Sequence, residues 1–302
     1  MKKLYYLAII MHFLVGCKNK EIEAFQGPPG PNEGDTSIYN TDHYRLTKIL
    51  NFSKSDSKEP GGHVLFTYDT EGNLTREAMY SAPDQLSTYK EYTYRNGRMA
   101  TQKVYDGVVN SLTLARTITY TYEGGLLTRE EAVDAGGTSL QSIHYEYTNR
   151  KLAETYTWSQ SLGKHHHYKY TFDGRGNVAK MQVYMYNNEL SNTENYTYDN
   201  QNRLIRTERF DHRNALELIT ITEYTGNNSL PSSEIYQNAD GNVRSGRTYE
   251  FDVAGNQIRT LMGTNVASKR KYYGKLLREE ILYSPTWGFT EMGMIRYEYE
   301  KK

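Results

Sequence analysis

The chain has 302 residues, and its 36 Lys and Arg residues balance its 36 Asp and Glu residues, so the formal charge is zero. This balance excludes a protein that binds nucleic acid through bulk positive charge, and a mean hydropathy of −0.79 excludes a bundle of membrane-spanning helices. Tyrosine occurs 29 times; its ring can be buried while its hydroxyl stays polar, so it can supply much of a core.

The first sixteen residues have the pattern of an export signal. Lys2 and Lys3 precede an apolar stretch over residues 4–15, which is too short to span a membrane as a helix. The sequence Leu14-Val15-Gly16-Cys17 resembles the lipobox of bacterial lipoproteins, and this resemblance implies cleavage before Cys17 and attachment of diacylglycerol to its thiol. We therefore predict a signal peptide over residues 1–16 and lipidation of Cys17, the only cysteine of the chain. The alternative is a free thiol at the end of an ordinary secretory signal.

Residues 17–41 are predicted to be a flexible, lipid-anchored linker. They show no periodicity and contain Gly27-Pro28-Pro29-Gly30-Pro31, a composition that favours a partly extended tether. Lys18 rather than Asp follows the cysteine, which by resemblance to enterobacterial lipoprotein sorting implies the outer membrane. The expected location is the cell envelope, as an outer-membrane lipoprotein that is surface-exposed or faces the periplasm, with the membrane as partner through the lipid.

Residues 42–302 repeat a unit of about 26 residues, which is typical of repeat architectures. Each unit has an aromatic-polar-aromatic triplet such as Tyr92-Thr93-Tyr94, often followed by Asp and then Gly-Asn, as in Tyr68-Asp69 with Gly72-Asn73. The second aromatic falls at positions 68, 94, 122, 147, 172, 198, 224, 251, 273 and 299. Alternation with period two predicts strands, and Asp with Gly or Asn predicts turns. Two strands and two turns per unit predict about twenty antiparallel strands from Tyr44 onward, in one β domain over residues 42–302.

The same alternation predicts which side chains share a face. We expect one strand to place Leu114, Ile118 and Tyr120 together, and the next strand of a unit to place Leu74 with Arg76. The charged residues expected to point inward with Tyr and Leu are Arg76, Arg129, Glu131, Lys180, Arg206, Glu208 and Glu234. Those expected to point outward near mid-strand are Glu91, Lys169, Glu223 and Glu250. An outward belt with such charges does not fit a membrane pore, because buried basic residues there would cost roughly 2–4 kcal/mol each.

Twenty strands must close on themselves or protect their edges. A closed ring of twenty strands would be about 40 Å across, too wide for side chains to fill. We predict an all-β fold, a single antiparallel up-and-down meander that is curled or closed into a flattened, soluble barrel. The alternative is an open spiral sheet of β-hairpins.

The repeat resembles the YD repeats of bacterial RHS-type surface and toxin-shell proteins. The residues that carry the resemblance include Tyr68-Asp69 with Gly72-Asn73-Leu74, and Tyr198-Asp199 with Asn202-Arg203-Leu204. The unit is longer than is usual for that family and several copies lack the Asp. The chain is more similar to small Bacteroidota lipoproteins whose repeats form a porin-like meander.

Few residues stand out as candidates for chemistry. His165 and His167, two positions apart in a strand, would share a face about 7 Å apart; they are weak metal candidates, because no third ligand follows at a fixed spacing. Trp158 and Trp287 lie near strand ends or turns, where a glycan or peptide ligand could reach them. The alternative to a ligand-binding, tyrosine-rich sheet is that the tyrosines form only the core of the fold. No nucleophile elbow, phosphate loop or zinc-protease motif is present, so the sequence indicates no catalytic residue and no cofactor.

Three functions fit these observations. The first is a non-enzymatic envelope lipoprotein with a binding or scaffold role. The second is a hydrolase of envelope glycans, which would need two carboxylates about 5–10 Å apart beside exposed aromatics. The third is an assembly factor that faces the periplasm. The oligomeric state stays open.

Overall fold

The computed structural model describes residues 43–185 and 187–302, and within them only the side chain of Trp287 is left undescribed. The predicted signal peptide 1–16, Cys17 and the linker 17–41 lie outside the described residues. Within the described residues the chain forms twenty strands, and no helix there is long and apolar enough to cross a membrane. The strands are β1 Tyr44–Phe52, β2 Gly62–Tyr68, β3 Leu74–Ala82, β4 Gln85–Arg95, β5 Arg98–Val108, β6 Ser111–Glu123, β7 Leu126–Asp134, β8 Ser139–Thr148, β9 Lys151–Ser159, β10 Gly163–Phe172, β11 Val178–Tyr184, β12 Leu190–Tyr198, β13 Leu204–Asp211, β14 Leu216–Glu223, β15 Ser233–Asn238, β16 Val243–Phe251, β17 Gln257–Met262, β18 Asn265–Tyr273, β19 Leu276–Ser284 and β20 Thr290–Lys301. A short 3₁₀ turn, Pro285–Trp287, precedes β20.

The sheet closes on itself. Each strand pairs antiparallel with the next one along the chain, and β1 pairs with β20 from Tyr44 opposite Lys301 to Phe52 opposite Met294. The fold is therefore a closed, twenty-stranded, up-and-down barrel. The predicted fold class is confirmed, and the open spiral is excluded.

The best-buried apolar residues lie where the barrel closes. Leu46, Ile49, Val64, Leu277 and Tyr297, from β1, β2, β19 and β20, form one cluster. A second cluster, of Leu50, Phe52 and Met294, lies on the other face of the same strands. Burial of each such side chain contributes about 1.5–3 kcal/mol, so the closing strands are held together on both faces.

The Asp residues of the repeat build the turns, as predicted. The Asp69 carboxylate accepts hydrogen bonds from the backbone N–H groups of Glu71 and Asn73 and from the Asn73 side chain, while Gly72 adopts a positive φ of 86°. Asp173, Asp199 and Asp252 repeat this arrangement.

A β-bulge follows each of these Asp turns. It also follows the shorter turns that take their place in other units. Tyr68 pairs with Leu74 and Thr67 with Arg76, so Thr75 has no partner in the ladder. The same offset recurs beside Tyr94, Tyr122, Tyr147, Phe172, Tyr198, Phe251 and Tyr272. One extra residue in a strand moves every later side chain to the other face.

Because of the bulges, several charged side chains lie on the face opposite to the predicted one. We call the face that carries the triplet aromatics, such as Tyr92 and Tyr94, the tyrosine face, and its opposite the second face. The charged residues expected beside the tyrosines lie instead on the second face: Arg76, Arg129, Glu131, Lys180, Arg206 and Glu208. Glu234 does lie on the tyrosine face, because β14 and β15 pair without a register shift. The second face also carries the four charged residues that were expected to lie away from the tyrosines: Glu91, Lys169, Glu223 and Glu250.

Candidate functional site

On the tyrosine face, the first tyrosine of three triplets donates to a glutamate fifteen residues earlier. Tyr92 donates to Glu77 at 3.1 Å, Tyr145 to Glu130 at 2.5 Å and Tyr249 to Glu234 at 2.9 Å. Burial first, and then the neighbouring carboxylate, raises the pKa of all three phenols. These hydroxyls are neutral donors with fixed partners, so they are structural groups.

In four units, the second aromatic position is a tyrosine that binds the backbone at a bulge. Tyr68 donates to the Leu46 carbonyl at 2.6 Å and Tyr147 to the Leu127 carbonyl at 2.9 Å; Tyr224 and Tyr299 do the same with Leu204 and Leu277. The acceptor is the residue just before the extra one, where the ladder is interrupted. The tyrosine face is thus occupied by its own network.

The second face carries a row of aromatic side chains near the ends of seven strands, at the end of the barrel opposite the Asp69 turn. Its members are Phe52, Tyr80, Tyr105, Trp158, Tyr184, Phe210 and Tyr283. Phe52 is 7% exposed and the tyrosines and Phe210 are half-buried, whereas Trp158 is 41% exposed. The largest ring of the row is therefore also its most accessible one.

A patch of rings and charges surrounds Trp158. Trp158 lies between Ser142 on β8 and Lys164 on β10 in the ladder. Two residues earlier, Tyr156 stacks on His144 with centroids 4.7 Å apart and planes 3° apart. The Lys164 ammonium lies 4.2 Å from the Tyr156 centroid and 2.7 Å from the Glu154 carboxylate.

A second stacked pair borders the patch. His167 stacks on Tyr184 at 4.2 Å, and its Nδ1 lies 2.7 Å from the same Glu154 oxygen that Lys164 contacts. The Lys169 ammonium lies 5.2 Å from the Tyr184 centroid. Burial acts to raise the pKa of the Glu154 carboxyl, but the hydrogen bonds of Lys164 and His167, together with the nearby lysine charges, lower it below its usual value. Glu154 is therefore ionised and joins the two ring pairs.

The two candidate metal-binding histidines do not share a face. His165 pairs with Thr157 on the tyrosine side of β9, whereas His167 pairs with Tyr184 on the second face. The extra residue is in the segment around His166, which has a positive φ of 47°. The expected 7 Å pair is wrong for this reason, and among the described residues no group of three or more His, Cys, Asp or Glu side chains is placed to hold a metal ion.

Trp287 lies in the 3₁₀ turn before β20. The adjoining strands β19 and β20 pair with each other and with β18 and β1, whereas β9, which carries Trp158, pairs with β8 and β10. The two tryptophans are therefore not on neighbouring strands.

Hydrogen bonds hold several described carboxyl groups in the ionised form. The Asn73 side chain lowers the pKa of the Asp69 carboxyl group and Lys271 lowers that of Glu279, whereas a hydrolase needs one carboxyl group with a raised pKa. A cleft between the Asp69 turn and the Asn96-Gly97 turn is lined by Asp69, Tyr92 and Tyr94 among others, and its aspartate already accepts the hydrogen bonds of its own turn.

Ion pairs lie on both faces of the sheet. Glu77 and Lys90 pair at 3.0 Å on the tyrosine face, and Arg259 and Glu250 pair at 2.8 Å on the second face. Along the described strands, neither face is therefore a continuous apolar belt.

No family model and no curated relative matches the chain. Among solved structures, a porin-like protein from Bacteroides uniformis is 12% identical, covering 84% of this chain and 98% of its own, with a TM-score of 0.35. A porin-like protein from Bacteroides vulgatus is 10% identical over 84% of this chain and 97% of its own, with a TM-score of 0.25. The Tc holotoxin pore of Photorhabdus luminescens is 10% identical over 84% of this chain but only 18% of its own, with a TM-score of 0.24.

The sequence singled out Trp158 but missed its neighbours. The bulge at Ala153 moves Tyr156 to the second face beside His144, and the bulge at His166 does the same for Lys164, so simple alternation does not bring these residues together. The available signal was the repeat itself: aligned on the bulges, Trp158 replaces the Tyr of the other units, such as Tyr105 and Tyr184.

Proposed function

We propose that this protein is a lipid-anchored protein of the outer membrane, held by diacylglycerol on Cys17, with a non-enzymatic binding role. The patch around Trp158 is the proposed binding surface. We further propose that the repeat of residues 42–302 is of the YD type. The observation that carries the proposal is the combination of a lipobox at Leu14-Val15-Gly16-Cys17 with a barrel that has ion pairs on both faces. A barrel inserted in lipid needs an apolar belt, so a lipid chain is the better-supported attachment.

Labelling with a palmitate analogue in a Gram-negative host tests the anchor. The wild-type chain is expected to incorporate the label and to fractionate with the outer membrane. Cys17→Ala is expected to lose the label and to leave the outer-membrane fraction, because one residue carries the whole attachment there. A Cys17→Ala chain that still fractionates with the outer membrane after a carbonate wash would contradict the proposal, since the barrel itself would then be inserted.

Protease treatment of intact cells distinguishes the two orientations. Degradation of the barrel without disruption of the cells supports surface display. Protection until the outer membrane is opened would favour the alternative of a periplasm-facing assembly factor.

A further inference from the structure

We propose that the second face around Trp158 binds a neutral polysaccharide, with one sugar ring stacked on the Trp158 indole. This inference rests on the binding role proposed above and adds the chemical class of the ligand. The chemistry needed is an accessible aromatic ring beside fixed hydrogen-bonding groups, because a sugar presents an apolar ring face surrounded by hydroxyls.

The ring is accessible and its neighbours are already positioned. Trp158 is 41% exposed, and the adjacent Tyr156 is held between His144 at 4.7 Å and the Lys164 ammonium at 4.2 Å. Little side-chain entropy remains to be lost in this cluster on binding, which favours affinity. Ser142, which pairs with Trp158 from β8, is buried, and its hydroxyl forms a 2.9 Å hydrogen bond with the His144 ring.

The charges of the patch point to a neutral ligand. Lys164 pairs with Glu154 at 2.7 Å. On the neighbouring β7, opposite His144 and Ser142, Arg129 pairs with Glu131 at 2.8 Å. Three of these side chains are each more than a third exposed, namely Lys164, Arg129 and Glu131. They can therefore form hydrogen bonds with sugar hydroxyls while their ion pairs stay intact. An acidic polysaccharide would instead have to compete with these carboxylates for the cations.

The aromatic row lies at one end of the strands, and this arrangement fits a polymeric ligand. The row that continues from Trp158 to Tyr184 and Phe210 follows the circumference of the barrel, so a polymer can extend across neighbouring strands. Single-stranded nucleic acid also stacks on aromatics but requires an excess of basic residues, which the paired charges of this patch do not provide.

The test uses the purified full chain and its two tryptophans. Affinity gels containing laminarin, mannan or soluble starch are compared with gels containing polygalacturonate, and a set of casein peptides serves as the protein-type probe. At least one neutral polysaccharide is expected to retard the chain. Trp158→Ala should weaken that binding by about tenfold, the effect of losing one stacked ring. Tyr273→Ala, which removes a 73% exposed ring at the other end of the barrel, should not change it.

Indole fluorescence locates the ligand. In Trp287→Phe the remaining tryptophan is Trp158, and the retarding polysaccharide should change its emission; in Trp158→Phe it should change nothing. A signal that persists in Trp158→Phe, retention by polygalacturonate or peptides alone, or no retention by any neutral polysaccharide would each overturn the inference. Lipid labelling of Cys17 is measured independently, so failure of the ligand class is distinguishable from failure of the anchor.

Discussion

Tyr92 donates its hydroxyl hydrogen to the carboxylate of Glu77, fifteen residues earlier, at 3.1 Å. Both residues are buried, and Lys90 provides the second partner of Glu77 at 3.0 Å. Because Tyr145 with Glu130 and Tyr249 with Glu234 repeat the contact, it is a recurring bond that joins one unit of the barrel to the next.

Tyr92→Phe should therefore destabilise the barrel. The phenyl ring keeps the apolar contacts but removes a hydrogen bond to a charged group, which typically lowers the free energy of unfolding by about 1.5–3 kcal/mol. Denaturant unfolding monitored by circular dichroism measures the change. Tyr273→Phe is the control, since that ring is 73% exposed and should change the stability little. Equal stability of the two variants would contradict the role assigned to the Tyr92–Glu77 bond.

The single extra residue at Thr128 should set the faces of β7. Inserting one Ala directly after Thr128 would turn Arg129 toward the tyrosine face and move Glu130 away from Tyr145, because every later residue of the strand is displaced by one position. We expect a loss of about 4 kcal/mol or more, or no folded protein. Thr128→Ala keeps the residue and loses only a 3.3 Å bond to the Thr121 carbonyl, so it should unfold close to wild type. An insertion variant as stable as Thr128→Ala would show that the faces of β7 do not depend on a single extra residue here.

Much of the fold could be predicted from the sequence, because strands and turns depend on local patterns. Alternation around Tyr92-Thr93-Tyr94 and the Asp69 turn gave the strand number and the turn geometry. The faces beyond each turn could not be predicted, since bulge residues such as Thr75, Ala100 and Ala153 have nothing in common that distinguishes them from ladder residues. Closure depends on the pairing of β1 with β20, a long-range contact that no single repeat encodes.

Acid should weaken the turns. Hydrogen bonds lower the pKa of several turn aspartates, led by the Asn73 side chain for Asp69, the Ala215 N–H for Asp211 and the Asn256 N–H for Asp252. A carboxyl group with a lowered folded-state pKa stabilises the fold above its unfolded value, about 3.9, and this stabilisation is lost as the pH falls below it.

The melting temperature should therefore be constant near neutral pH and fall as the pH drops below about 4. Asp252→Ala should lower the melting temperature at pH 7 and reduce the acid-dependent loss, because one of the linked groups is gone. Asp252→Asn should lie between Ala and wild type, since its side-chain oxygen can still accept the N–H groups of Ala254 and Asn256. An unchanged acid dependence in Asp252→Ala would contradict the assignment.

The closing pair of strands should be sensitive to a single methyl group. A Cβ at Gly293 would lie 2.6 Å from the backbone carbonyl oxygen of Phe52, closer than a carbon can approach without movement of β1 or β20. Gly293→Ala should cost about 1–3 kcal/mol through overpacking and should increase cleavage by protease at the β1 and β20 ends. Gly61→Ala is the matched control, because its nearest atom, the Asn51 carbonyl oxygen, is 3.9 Å away and leaves room for a methyl group. If Gly293→Ala resists denaturant and protease as well as Gly61→Ala, the tight approach of β20 to β1 is not what holds the ring closed.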